Sequence, residues 1–213
     1  MTAILKVDTI QDTSGNNIIN ESSDTITIGA SGDTISIPSG ATIANSGTAT
    51  GFGIDGITVA DQWRLTSDYS LNSSSLQYLS SNLERIDTTG QGTIGSAMTE
   101  SSGIFTFPST GIYLVSANYQ FVRNGSSQWI QSVISGTTNN SSYASFADQE
   151  GSISQVSSSN TSTTTNPSTL VDVTDTSNVK VKFGVSGAAG PISVKGNTSY
   201  NYTFFTFLRL GDT

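Results

Sequence analysis

The chain has 213 residues, 16 acidic and 8 basic, with no histidine and no cysteine. Those two absences exclude Ser-His-Asp and Cys-His hydrolysis, zinc sites built on His and Cys, and any disulfide framework. A net charge of −8, with the basic residues scattered from Lys6 to Arg209, predicts no nucleic-acid partner, because phosphate binding needs clustered Lys and Arg. Charged residues are 11% of the chain, while Ser, Thr and Asn fill 82 positions. Disordered polyelectrolytes carry far more charge. Thr, Val, Ile and aromatics suit a pleated surface, with neutral hydroxyls and amides coating the outside.

No apolar run reaches the ~18 residues of a membrane span, and the N-terminus has no charged-then-apolar leader pattern. No membrane insertion is expected.

Residues 1–56 form the first predicted segment. Ile4 to Val7 and the pair Ile18-Ile19 flank the turn-forming run Ser14-Gly15-Asn16-Asn17, which predicts a hairpin. A degenerate repeat starts at 24, 33 and 41, reading D-T-I-T-I-G, D-T-I-S-I-P and A-T-I-A-N. Each unit is read as a short strand closed by a Gly, Ser or Pro corner. One copy cannot bury Ile26, Ile28, Ile35 and Ile37, since so short a segment has too little core to offset chain entropy. Three copies around a shared axis could, so these isoleucines are expected at a trimer interface. Gly47, Gly51, Gly53 and Gly56 mark a hinge over 48–56.

From residue 57 to 213 the composition changes: both Trp, all seven Tyr and every Phe except Phe52 lie there. Short alternating runs and frequent turn signals predict an all-β sandwich. In 111–122, Tyr113, Val115, Ala117, Tyr119 and Phe121 share one face. In 179–185, Val179, Val181, Phe183 and Val185 point inward, and Lys180 and Lys182 point to water. Only residues 76–86 could pass for a turn or two of helix. The last strand, 200–210, is apolar on both faces. Tyr200, Tyr202, Phe204 and Leu208 lie on one, Phe205 and Phe207 on the other. One face serves the chain's own core and the second needs a neighbouring subunit. Tyr200, Tyr202, Phe205 and Phe207 are therefore expected at the trimer interface.

Residues 103–116 read G-I-F-T-F-P-S-T-G-I-Y-L-V-S. Phe105 stands six positions before Gly111, Tyr113 follows it, and Pro108 sits at the corner between them. This resembles the signature of the complement C1q and tumour-necrosis-factor-like jelly roll, as does the aromatic ending Y-N-Y-T-F-F-T-F-L-R-L at 200–210. Trp63-Arg-Leu-Thr resembles that family's first strand. The resemblance covers 57–213 and implies a ten-stranded-type jelly-roll head in a homotrimer that binds proteins, glycans or other surfaces. Met98 and Thr93 depart from the family pattern, and no calcium site carries over.

The opening L-K-V-D-T-I-Q-D-T-S-G-N-N-I-I-N-E, with the isoleucine repeat after it, is similar to the openings of tail-fibre and other virion proteins of tailed phages, those of marine cyanobacteria especially. It implies a virion protein, assembled in the host cytoplasm and released by lysis. Its N-terminus would join other virion proteins and its head would lie distal.

Other chemistry is weak. Asp148 with Glu150, and Asp172 with Asp175, are acidic pairs of the kind glycoside hydrolysis uses, but they read as solvated loop acids, and no enzyme is expected. Calcium is compatible with such loops yet not assignable, because the regular Asp-x-Asp-x-Asp spacing is lacking. No cofactor is expected. The polar stretch 136–168 offers Tyr143 and Phe146 as candidate surface-binding residues, since sugars stack on exposed aromatics amid amides and hydroxyls. Trp63 and Trp129 read as core or interface residues. The expected protein is a trimeric phage fibre or spike whose head binds a host-surface glycan or protein. The alternatives are a decoration or tail structural protein, or a free C1q-like lectin or adhesin.

Overall fold

The computed structural model describes residues 9–15, 17–23, 25–29, 31–42, 56–188 and 191–213. The chain divides into two units, residues 1–52 and 53–213. All described secondary structure is β.

The first unit is a meander of β1 (Thr9–Gln11), β2 (Asn17–Ser22) and β3 (Thr25–Ile28). Its first turn closes where the Gly15 N–H donates to Asp12 O, and the Ser14 N–H to Asp12 Oδ1 at 2.8 Å. The expected arm at residues 4–7 lies outside the described residues; among the described residues Thr9–Gln11 pairs with β2. Register places Ile10 opposite Ile19 and Ile19 opposite Ile28, so three isoleucines form one row across three strands. The second repeat corrects the sequence reading: Ile35 and Ile37 belong to no strand. A strand is held by hydrogen bonds to a neighbour, and among the described residues no ladder includes Ile35 or Ile37. The third repeat from residue 43 and the hinge from 48 to 55 lie outside the described residues.

The second unit begins with β4 (Ala60–Leu65), β5 (Tyr69–Leu71), β6 (Gln77–Tyr78) and β7 (Leu83–Arg85). Residues 76–86 thus form short strands, not helix. Next come β8 (Thr99–Ser101), β9 (Ile104–Thr106), β10 (Gly111–Arg123), β11 (Ser127–Thr137) and β12 (Ala144–Ile153). The chain ends with β13 (Thr161–Thr165), β14 (Ser168–Val173), β15 (Lys180–Gly187), β16 (Ile192–Val194) and β17 (Phe204–Gly211). The larger sheet runs β5-β16-β10-β17-β4-β7, with β13 and β14 on the other edge of β10. The smaller runs β12-β11-β15-β9-β8, with β6 also on β15. The hairpin β8–β9 turns at Ser102 and Gly103, both at positive φ, as a two-residue primed turn requires. A Cβ on Gly103 would lie 2.4 Å from Leu79 O.

The core lies between the sheets. Tyr113, Val115, Ala117, Tyr119 and Phe121 of β10, and Val181, Phe183 and Val185 of β15, are all buried, as alternation predicts. Phe105 joins the two layers: its ring meets Trp63 and Phe207 from one sheet and Phe183 from the other, at centroid distances of 5.2–5.4 Å. Phe183 and Phe205 stack at 3.8 Å.

That packing corrects the expectation for the last strand. Phe205 and Phe207 are fully buried within a single chain, opposite Ala117 and Val115 of β10. Their contacts are filled by Phe105 and Phe183, so they are core residues rather than interface residues. The strand also starts later than expected, at Phe204, leaving Tyr200 and Tyr202 in the preceding turn.

Candidate functional site

The outward face of the larger sheet is the most unusual surface of the head. Across β14, β10, β17 and β4, register aligns Leu170 with Leu114, Leu114 with Leu208, and Leu208 with Ala60. Four apolar side chains thus form one row on the side facing away from the core. Leu170 is 60% exposed. The next row is Ser168, Ser116, Thr206 and Gln62, where Gln62 Nε2 donates to Thr206 Oγ1 at 2.9 Å. The third carries Asn118, Phe204 and Arg64. Tyr200 and Tyr202, 64% and 37% exposed, have rings 6.1 Å apart, and Asn118 Nδ2 donates to Tyr202 O. The sequence reading separated Phe204 and Leu208 from Phe205 and Phe207 but expected the latter pair at the interface, and it did not single out Leu114 or Leu170. The signal was present: G-I-Y-L-V is apolar at both parities.

Two charge networks brace this sheet. Asp61, fully buried, accepts from Arg85 Nε at 3.1 Å, from Trp63 Nε1 and from the Met98 N–H. Arg64 is 1% exposed although it points outward. It donates to Glu84 at 2.7 Å, to Asp87 at 2.9 Å and to Thr88. Buried charge stands only when paired and hydrogen-bonded, so both networks are structural.

The residues expected to bind sugars do not form one site. Tyr143 sits on the outer side of the smaller sheet, half-buried, with Lys182 Nζ 3.9 Å from its ring centroid; Tyr78 lies 5.3 Å from the same ammonium. Burial, then the nearby Tyr78, raises the Tyr143 phenol above its ordinary pKa. Phe146 turns to the other side, where its ring fills the space a Cβ on Gly136 would take, and it packs on the core. Residues 136–168 are not plain loops either, since they contain β12 and β13. Thr165 in this polar stretch is buried, and its hydroxyl donates to Ser132 Oγ. Of the tryptophans, Trp63 is in the core and Trp129 is half-buried.

The acidic pairs have ordinary duties. Asp148 accepts from Gln131 Nε2, and Glu150 is exposed beside it on β12. Asp175 accepts from the Ser177 N–H and from Asn178 Nδ2, bonds that hold its carboxyl below the ordinary range. A general acid for glycoside hydrolysis needs the opposite shift. Among the described residues no group of His, Cys, Asp or Glu is placed to hold a metal ion.

Two sheets of this order, with the long β10 central in one and β15 and β11 central in the other, define a TNF-like jelly roll. Among solved structures, Eiger TNF from S. frugiperda matches with a TM-score of 0.52 at 13% identity, covering 73% of this chain and 94% of that one. Murine APRIL at pH 8.0 matches with a TM-score of 0.47 at 13% identity, covering 71% and 98%. At such identity the likeness concerns the fold alone. No protein-family model and no curated protein matches the chain.

Proposed function

We propose that this chain is a non-enzymatic structural protein of a tailed-phage virion, a homotrimeric fibre or spike. In this reading the N-terminal unit joins other virion proteins and the jelly-roll head contacts the host cell surface. The observation that carries it is unburied apolar surface in both units. The head shows the row Leu170, Leu114, Leu208 and Ala60, and the N-terminal unit leaves Ile26, Ile28, Ile35 and Ile37 48–68% exposed. Contiguous apolar surface of this kind marks association sites. The similarity of residues 5–43 to phage fibre openings supports the virion setting, and the two exposed tyrosines extend the same face.

Sedimentation of the full chain tests the assembly: a trimer is expected, and a compact monomer at micromolar concentration would remove the basis for it. Adsorption blocking tests the role, since saturating trimer should reduce phage adsorption to host cells, and unchanged adsorption would refute receptor contact. The packing of Phe146 on the core and the lysine over Tyr143 favour a second reading, a decoration protein that stabilises the particle without a receptor. Mass spectrometry of purified particles should find the chain in either case.

A further inference from the structure

At one end of the larger sheet, β5, β16 and β10 lie side by side, and their register aligns Ser70 with Ser193 and Ser193 with Val122 on the outward face. This row floors a cleft of about 310 Å³, a size within the usual range for small-ligand sites. Asp68, Lys195, Arg123, Asn124, Asn160 and Pro191 also line it.

The polar groups are fixed before any ligand arrives. Asp68 accepts from Lys195 Nζ at 2.6 Å, from Ser193 Oγ at 2.9 Å and from the Gly196 N–H at 3.1 Å. That bond uses one of the three ammonium donors of Lys195. Gln155 Nε2 donates to Asn124 Oδ1, so Asn124 offers its NH₂ group. The lining holds Arg123 and Lys195 against the single carboxylate of Asp68, with which Lys195 pairs. Val122, Ile192 and Pro191 add carbon surface. Carbon surface, neutral hydrogen-bonding groups and a guanidinium fork together match a sugar ring that bears a carboxylate.

We infer that this cleft binds a hexuronate unit of a surface polysaccharide, its carboxylate on Arg123 and its hydroxyls on Asn160, Ser70 and Lys195. The inference deepens the host-surface role proposed above and rests on it for the source of the ligand.

Calorimetric titration of the full chain tests it, using tetragalacturonate, a hyaluronan tetrasaccharide, neutral maltotetraose and inorganic phosphate. At least one uronate oligomer should bind, with maltotetraose weaker by about tenfold, as expected for loss of a charge-assisted contact. Arg123→Gln and, separately, Asn160→Ala should each weaken uronate binding, with circular dichroism showing that both variants keep the fold. No binding of either uronate, equal binding of maltotetraose or phosphate, or unaltered binding by both variants would overturn the assignment. Adsorption blocking separates the two claims. If the wild-type chain blocks adsorption but binds no uronate, the cleft assignment fails and the host-surface role stands. If it binds uronate but never blocks, the role fails and the cleft stands.

Discussion

Phe205 and Asp68 show how individual side chains acquire their roles from partners far away in sequence. Phe205 stacks on Phe183 and meets Tyr119 and Phe105 at 5.9–6.0 Å. Phe205→Ala should therefore cost about 3–5 kcal/mol by transfer and cavity terms, read as a lowered denaturant midpoint. Asp68 titrates. Burial alone would raise its pKa, but the bonds from Lys195, Gly196 and Ser193 outweigh that and hold it below the ordinary 3.8. A carboxyl depressed in the folded state adds stability above its unfolded pKa, and that stability is lost as pH falls through the folded value. Melting temperature should thus drop more steeply below 3.8 in the wild-type chain than in Asp68→Asn. The difference should be modest, because the pair is partly exposed. Parallel slopes would show that the pair adds nothing.

For the elements, the decisive property is what each face of a strand meets. β17 is apolar on both faces; Phe205 and Phe207 meet the opposing sheet, and Phe204 and Leu208 meet solvent in the single chain. Leu114→Asp combined with Leu208→Asp places charge on the outward row and leaves the core untouched. Sedimentation should show the proposed trimer lost while circular dichroism stays unchanged, because an unpaired charge at a buried interface costs several kcal/mol. A trimer that persists would move the interface elsewhere. The β8–β9 turn is a second case. With Gly103 at positive φ and a Leu79 carbonyl where a Cβ would stand, Gly103→Ala should destabilise by about 1–3 kcal/mol, seen as a lower melting temperature.

For the whole molecule, the head holds its own aromatic core, whereas the three-stranded N-terminal meander exposes Ile10, Ile18, Ile19, Ile26 and Ile28. Removal of residues 1–52 should leave a head that still melts cooperatively and, in the proposed virion role, no longer enters particles. Loss of the cooperative transition would mean that the head depends on the leader.

Much of this architecture was legible along the chain. The parity of 179–185 named the buried face of β15, because alternation with one polar side admits a single solution, and in 111–122 the run Tyr113, Val115, Ala117, Tyr119 and Phe121 is the buried face of β10. The aromatic ending of the jelly roll was an equally local signal. Three features were not: which face of the last strand is core, the packing of Phe146 over Gly136, and the cleft built from Asp68, Arg123, Asn160 and Lys195. Local sequence sets which side chains share a face. The pairing of strands more than a hundred residues apart sets what each face touches, and only the assembled sheets decide that.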